Sequence, residues 1–379
     1  MKYFCPPADF KYETIDRYAE LNSQYGHSKI TETYGQLAPD SLFGSCRSPK
    51  NLPAVDMEQL EKYVKYSRDK GIEFNYVINA SCMGNDELVK EGFHKVCDFL
   101  EKLQEIGVQW ITLCLPSLME IAKYKAPGLK IKASTVCLIN SPTKAEFYDE
   151  LGIKRLVLDE DIYKRFDILK NIRKAYSGDL EIIVNSFCRT DCPYKTFHYN
   201  SFSHSHLYKD KYPYYGTRCN NIHIGGENLI RLNWIRPEDL HHYSEIGIDY
   251  FKFQGRSNVL DGNPAKAVTH YIEENYEGDL ISLLELFSES RPFAITMAEM
   301  DNRKLDGFLD RFVQDPGFCS KLCRECGYCA AYANAAISRT DAAIMDMAKL
   351  MYRSTMEEFP GMLCDCGNGC DCMQNSSSD

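Results

Sequence analysis

Cysteine is unusually frequent in this chain, which carries 17 thiols among its 379 residues. Cys188 and Cys192 stand four residues apart in the segment VNSFCRTDCPYK, and Cys219 follows in YYGTRCN. The first residues, MKYFCPPADFKYE, lack the apolar core of an export signal, so we expect a reducing, cytoplasmic environment in which disulfides do not persist. Thiolates at this density are more typical of metal ligands, and soft sulfur ligands favour iron–sulfur clusters or zinc.

Predicted strands and helices alternate along the chain from residue 30 to about residue 290, and these elements must position the thiols. Eight short runs rich in Val, Ile, Phe and Tyr are separated by amphipathic stretches, which is typical of buried parallel strands that alternate with helices. The predicted strands are ITETYG, EFNYVINAS, WITLCLP, KIKASTVCLI, RLVLDE, LEIIVNSF, NLIRLNWI and YFKFQG. Helices are predicted over 86–106, 141–152 and 236–247, because Pro or acidic residues precede them and Gly ends them.

Eight such units predict an α/β fold, a (β/α)8 TIM-like barrel, with a doubly wound open sheet as the alternative. Residues 3–5 are expected to add a strand or to cap the bottom of the barrel. The predicted domains are a barrel over residues 1–290 and a Cys-rich C-terminal region over 291–379, whose polar tail we expect to be disordered.

The charge balance bears on the partners of the protein. With 44 basic and 54 acidic residues the formal net charge is −10, which disfavours general binding of nucleic acid phosphate without excluding a local basic patch. No apolar run approaches the roughly 20 residues that a membrane span needs, so no span is predicted.

The barrel prediction gives the cysteines a common location. In such barrels the C-terminal ends of the strands and the loops after them form the active face. Cys188 closes a predicted strand, and Cys192 follows in the next loop. Cys219 lies in an insertion of about 35 residues, longer than an ordinary connection and expected to fold over the site. Both Cys46, after the first predicted strand, and Cys82, at the end of INASC, are candidates for a fourth ligand.

A second set of thiols lies in the segment CSKLCRECGYC. Its members are Cys319, Cys323, Cys326 and Cys329. Their clustering predicts a second metal site, either an iron–sulfur cluster that relays electrons or a structural zinc. The first three also have the spacing of radical-SAM enzymes, but there the motif follows the first barrel strand and here it follows the last. A third set has no assigned role: Cys364, Cys366, Cys370 and Cys372.

Arg256 ends the last predicted strand in the segment YFKFQGRSN. Barrels often hold anions near their final loops. We therefore predict that Arg256 binds a carboxylate or phosphate of the substrate, for which its planar guanidinium is well suited.

Several of these motifs, taken in order, resemble the U32 family, historically labelled peptidases. They are FGSCRSPKNLP, IKASTVCLINSPTKAEFYDELGIKRLVLDED, VNSFCRTDCPYK, YYGTRCN and YFKFQGRSN. The resemblance covers roughly residues 1–290. Family members that act in oxygen-independent hydroxylation of ubiquinone precursors and of RNA carry a 4Fe–4S cluster on four cysteines. The ubiquinone type has one ligand early in the chain and three near its middle, which implies Cys46, Cys188, Cys192 and Cys219 here, although the last spacing is wider.

The resemblance implies oxygen-independent hydroxylation, or a related redox modification, of an aromatic ring or nucleobase. The substrate would be a small molecule or RNA, and a redox partner or a U32-like heteromeric partner is expected. Two alternatives remain, a peptidase and a binding or assembly module with a structural cluster. The chain has neither His-Glu-x-x-His nor Gly-x-Ser-x-Gly, the motifs of two large hydrolase classes.

Overall fold

The computed structural model describes residues 1–37, 52–204, 214–222, 226–290 and 298–339, with the isolated residues 350 and 353. Its strands are β1 Lys2–Cys5, β2 Ser28–Ile30, β3 Glu32–Gly35, β4 Glu73–Ile78, β5 Trp110–Leu113, β6 Lys130–Ala133, β7 Arg155–Val157, β8 Asp179–Ile183, β9 Asn185–Arg189, β10 Leu232–Trp234, β11 Tyr250–Lys252, β12 Ala298–Met300 and β13 Ile337–Arg339. Its longer helices are α1 Tyr12–Gln24, α2 Met57–Asp69, α3 Lys90–Glu105, α4 Pro116–Lys125, α5 Pro142–Glu150, α6 Phe166–Ala175, α7 Lys195–Ser203, α8 Tyr214–Ile222, α9 Gly226–Ile230, α10 Leu240–Ser244, α11 Pro264–Ile272, α12 Leu280–Leu284, α13 Asp310–Gln314 and α14 Tyr328–Ala336.

The main sheet is a parallel barrel closed by one interrupted strand. Its order is β2-β1-β11-β8-β7-β6-β5-β4-β3. The two end strands, β2 and β3, are consecutive in the chain and separated only by Thr31, so one pairs with β1 and the other with β4. A further bridge between Pro7 and Tyr34 joins the two ends. The predicted (β/α)8 barrel is confirmed, with β2 and β3 acting as one of its eight strands.

One predicted strand is not part of the barrel. NLIRLNWI contains β10, which pairs antiparallel with β9 in a separate two-stranded sheet, and the N-terminal β1 takes the place in the barrel between β2 and β11. Residues 232–234 are buried as the apolar pattern indicated. The prediction was wrong because apolar character reports burial, whereas backbone pairing depends on which edge is available.

The residues that begin and end the helices have the conformations that the sequence indicated. At α5 the Ser141 hydroxyl accepts a hydrogen bond from the backbone N–H of Lys144 at 3.3 Å. Gly152 and Gly247, which follow α5 and α10, have φ of +72° and +81°, a left-handed conformation that glycine adopts at low cost. The predicted helix over 86–106 divides into a short 3-10 turn and α3.

The described part of the C-terminal region packs onto the barrel. Phe308 and Phe312 are buried in the common hydrophobic core, and the Phe308 ring lies 5.8 Å from that of Trp234. Arg236, itself buried, donates to Asp306 at 2.7 Å and to the carbonyl of Asn302 at 2.9 Å. This packing holds residues 298–339 on the side of the barrel that carries the β9–β10 sheet.

Candidate active site

A cavity lies at the C-terminal end of the barrel strands, where the sequence places the active face. It encloses about 650 Å³ and is open to solvent. Its walls combine apolar side chains with polar ones, and we call it the barrel cavity. It is lined by Tyr34, Val77, Asn79, Thr112, Ser134, Thr135, Val136, Val157, Glu160, Ile183, Cys188, Tyr199, Lys252, Gln254, Gly255 and Arg256.

A second cavity adjoins it and gathers three of the predicted ligands. Cys188, Cys192 and Cys219 line one space of about 430 Å³, together with aromatic and basic side chains. We call this space the thiol cavity. Cys188 and Tyr199 line both cavities, so the thiol cavity lies directly beside the barrel cavity. The fourth predicted ligand, Cys46, lies outside the described residues.

The local structure explains why the first two thiols meet. Strand β9 continues the direction of β8 out of the barrel and carries Cys188, held there by its pairing with β10. The chain then reverses at Asp191, whose φ is +54°. The carbonyl of Cys192 accepts a hydrogen bond from the N–H of Lys195 at 3.1 Å, which leads directly into α7.

The insertion after Cys192 is largely helical in its described parts. Cys219 lies on α8, which contacts α7 through aromatic rings. The Tyr215 ring lies 6.4 Å from Phe197 and 6.3 Å from His198. The insertion therefore brings a third thiol to the pair on β9 and the following turn. Cys82, the alternative fourth ligand, is not among the described residues that line either cavity.

A buried lysine supplies positive charge beside the thiols. The Lys195 ammonium lies 2.9 Å from Asp159, 2.6 Å from Asp161 and 3.6 Å from Glu160. Burial opposes its charged form, but these carboxylates raise the pKa of Lys195 well above its ordinary value. The ammonium therefore stays protonated at the wall of the thiol cavity, where it attracts the thiolate form of Cys188.

The separation of the three sulfur atoms bears on the metal they fit. A single zinc ion with Zn–S bonds of about 2.3 Å holds its sulfurs about 3.8 Å apart. Within the described residues, Cys188, Cys192 and Cys219 do not form a group with all sulfurs within 4.8 Å of one another, so at least one pair of these sulfurs is farther apart than around a single zinc ion. Thiolates are also the ligands of iron–sulfur clusters, so the chemistry of this donor set is compatible with a cluster.

The barrel interior below the cavity contains a network of buried charges. Lys132 contacts Glu32 and lies 2.6 Å from Glu181, and Arg155 lies 3.0 Å and 3.3 Å from the same two carboxylates. Burial alone would raise the pKa of Glu32, but Lys132 and Arg155 lower it to about 2. Cys5, Glu32 and Glu181 are close enough to hold a metal ion. The two cations already balance both carboxylates, so we interpret this group as a salt-bridged core.

Two further cations line the barrel cavity above this core. Lys252 is 8% exposed, and its ammonium lies 3.9 Å from a Glu181 oxygen and 3.9 Å from the centre of the Tyr34 ring. Burial, reinforced by the charge of Lys132, lowers the pKa of Lys252 to about 8. Arg256 is 7% exposed and donates to the amide oxygen of Gln36. Sequence analysis identified Arg256 but missed Lys252, whose alternation with Gln254 and Arg256 was the available signal.

The second set of thiols lies close to the turn between Cys188 and Cys192. The Lys321 ammonium, between Cys319 and Cys323 in the chain, is 2.5 Å from Asp191. Burial raises the pKa of Cys329, and the nearby charges of Lys164 and Arg231 oppose this. Cys319 and Cys323 also act on Cys329 electrostatically, so at least these three thiols are neighbours in a positively charged setting.

Comparison with known proteins shows which family the chain is similar to in sequence. The sequence model of peptidase family U32 matches residues 43–189. An uncharacterized protease of Methanocaldococcus jannaschii is 34% identical over 287 residues, which cover 74% of this chain and 82% of that protein. The solved structure of the U32 peptidase Mk0906 aligns with a TM-score of 0.49 and 16% identity over 67% of this chain and 93% of its own. D-psicose 3-epimerase from Clostridium cellulolyticum aligns with a TM-score of 0.36 and 13% identity over 72% of this chain and 95% of its own.

Fold and site together define a (β/α)8 barrel protein with a thiol-lined cavity beside its mouth. By its sequence similarity, the chain belongs to peptidase family U32. In the described ranges, none of the helices combines the length and the apolar character that a bilayer crossing requires.

Proposed function

We propose that the protein is an iron–sulfur enzyme that carries out oxygen-independent hydroxylation, or a related redox modification, of an aromatic or nucleobase substrate. The observation that carries the proposal is the convergence of Cys188, Cys192 and Cys219 on one cavity that shares a wall with the barrel cavity. These three residues, with Cys46 as the fourth, would hold a 4Fe–4S cluster.

The residues around the two cavities have separate roles in this proposal. The cluster, when bound, would supply electron transfer or polarisation beside the barrel cavity. Three acidic side chains hold the Lys195 ammonium at the cavity wall, where it attracts the Cys188 thiolate. Arg256 binds an anionic group of the substrate, and Tyr199 and Cys188 form the wall that the two cavities share.

Cys319, Cys323, Cys326 and Cys329 would hold the second metal, either an iron–sulfur cluster or zinc. An electron-relay role is favoured by the ion pair between Lys321 and Asp191, which joins the two cysteine-bearing segments directly. The positive charges of Lys164 and Arg231 near Cys329 suit a metal–thiolate group, whose net charge is negative.

Metal analysis of protein purified without oxygen tests the proposed function. We expect a brown protein with iron and sulfide at about four each per chain from the barrel site, and more iron if the second set also holds a cluster. Colourless protein that contains zinc and no iron would refute the proposal.

A peptidase is the second candidate, because the relatives are named as a protease and a peptidase. Cleavage of gelatin that is lost on substitution of a single nucleophile would support it.

Substitution of the second set separates the two metal sites. For Cys323→Ser we expect the loss of only the metal bound by the C-terminal set, since Cys323 lines neither described cavity. Iron, sulfide and zinc per chain are measured in the variant and in Cys97→Ser, a buried cysteine on α3, as the control. Unchanged metal content in Cys323→Ser would remove this residue from the ligands.

A further inference from the structure

Two buried cations line the barrel cavity from one short segment, Lys252 at the end of β11 and Arg256 four residues later. We propose that these two residues form an anion site at the inner end of the barrel cavity, and that the substrate is a small organic anion bound through a carboxylate or phosphate group. The inference rests on the proposed function, for which it names the class of substrate and a further binding residue.

The surroundings of Lys252 show a cation that the protein itself does not fully compensate. Facing it are Tyr34 and Glu32 from β3, Glu181 from β8, Lys132 from β6 and Cys5 from β1. Glu32 and Glu181 are engaged at shorter distances by other cations. Among the described residues, the closest carboxylate oxygen to the Lys252 ammonium is 3.9 Å away, beyond hydrogen-bond distance. A buried ammonium without a hydrogen-bonded acceptor is costly, and an anionic ligand would supply that acceptor.

The charge inside the barrel cavity favours an anion. Among the described lining residues, the one carboxylate is that of Glu160, which lies 3.6 Å from Lys195. Burial and the neighbouring carboxylates of Asp159 and Asp161 raise the pKa of Glu160, with Lys195 opposing them, and this reduces its negative charge toward the cavity. Lys252 and Arg256 are the cationic side chains among the described residues that line it, and a guanidinium such as that of Arg256 binds carboxylate or phosphate through two parallel hydrogen bonds.

The apolar walls of the barrel cavity indicate the chemistry of the part of the ligand that is not anionic. Val77, Val136, Val157 and Ile183 line the cavity with apolar surface, and largely apolar walls with a few polar groups are typical of small-molecule sites. The net charge of −10 disfavours close approach of an extended nucleic acid backbone. A small molecule with an apolar or aromatic body and one anionic group fits these features better than RNA does.

The test is calorimetric titration of the full chain, purified without oxygen, with benzoate, inorganic phosphate and the neutral analogue benzamide. The variants are Lys252→Met and Arg256→Gln, with Lys2→Met as a control, because Lys2 is a partly buried lysine on β1 that is not among the described residues lining the barrel cavity. We expect each cavity variant to weaken benzoate or phosphate binding by about tenfold or more, with benzamide binding and the control unchanged. Wild-type affinity should fall above pH of about 8, as Lys252 loses its proton, and Lys252→Met should lack this fall.

Each result decides a separate point. Stronger binding of benzoate than phosphate assigns a carboxylate, and the reverse order assigns a phosphate. Failure of the wild type to bind either anion, or equal anion binding by Lys252→Met, would overturn the inference. If Lys252→Met does not fold, as judged by circular dichroism, Arg256→Gln and the pH profile of the wild type decide. Iron is measured in the same samples, so anion binding without iron would refute the proposed function alone, and iron with no effect of either variant would refute only the anion site.

Discussion

Substitution of Lys132 by methionine is expected to lower the free energy of unfolding by about 3 to 5 kcal/mol. Lys132 is fully buried and contacts both Glu32 and Glu181. Methionine has a similar length but no charge, so the variant keeps two buried carboxylates with one fewer cation. Arg155 still pairs with both, which places the effect toward the lower end of this range. Urea unfolding at pH 7, followed by circular dichroism, measures the difference.

The matched control is Lys252→Met, a buried lysine in the same barrel interior. Because burial lowers the pKa of Lys252 to about 8, its charged form destabilises the folded state at pH 7. We therefore expect Lys252→Met to raise the free energy of unfolding, by about 1 to 3 kcal/mol. A lower free energy of unfolding in Lys132→Met and a higher one in Lys252→Met would follow from the difference in charge pairing between the two lysines. A similar loss in both variants would show that packing, not charge pairing, dominates this interior.

The stability that the ion pairs of Glu32 contribute is expected to decrease at low pH. The folded-state pKa of Glu32 is about 2, below its ordinary 4.5. Its ion pairs therefore contribute fully above about pH 4.5, and this contribution is lost as the pH falls toward 2. In Lys132→Met the pKa of Glu32 should move upward, so less stability remains to be lost in this window. Unfolding curves of the wild type and of Lys132→Met between pH 5 and 2 measure whether the variant loses less stability over this range.

For Cys188→Ser we expect the loss of about four iron atoms per chain together with their sulfide. Cys188 lies between the two cavities and shares the thiol cavity with Cys192 and Cys219, so its removal leaves an incomplete ligand set. The visible absorption of the protein and its iron and sulfide content, measured after purification without oxygen, report the loss. The same result is expected for Cys192→Ser and Cys219→Ser.

Three further cysteine substitutions provide a control and distinguish the candidates for the fourth ligand. Cys97→Ser removes a buried thiol on α3, away from both cavities, and should keep the full iron content. Cys46→Ser and Cys82→Ser distinguish the two candidates for the fourth ligand, and we expect only Cys46→Ser to lower iron. Full iron content in Cys188→Ser, with wild-type absorption, would contradict the proposed cluster.

The cysteine site could be predicted largely from strand order. A thiol that follows a parallel barrel strand must lie at the C-terminal end of the barrel, and this placed Cys188 and Cys192 together before any coordinates. Cys219 was predicted because an unusually long insertion at this end is expected to fold over the site. Its position on a helix against α7 depends on aromatic contacts between distant residues, such as Tyr215 and Phe197, which no local pattern reveals.

The errors and omissions have physical causes of the same kind. β10 was assigned to the barrel because its residues are buried, but burial does not identify a pairing partner. Lys132 and Lys252 were overlooked because a barrel interior is expected to be apolar, and charges within KIKA and YFK were not considered as partners. Their roles depend on carboxylates contributed by other strands, Glu32 and Glu181, and emerge only when the barrel closes.

The position of β1 between β2 and β11 also has a consequence for biosynthesis. β1 pairs with β2 at once, but its other edge must wait for β11, about 250 residues later in the chain. At ribosomal rates of about 5 to 20 residues per second, this edge stays uncovered for at least about 10 seconds. The nascent protein therefore passes through a stage with an open seam between its first strand and its last, a natural binding surface for a chaperone.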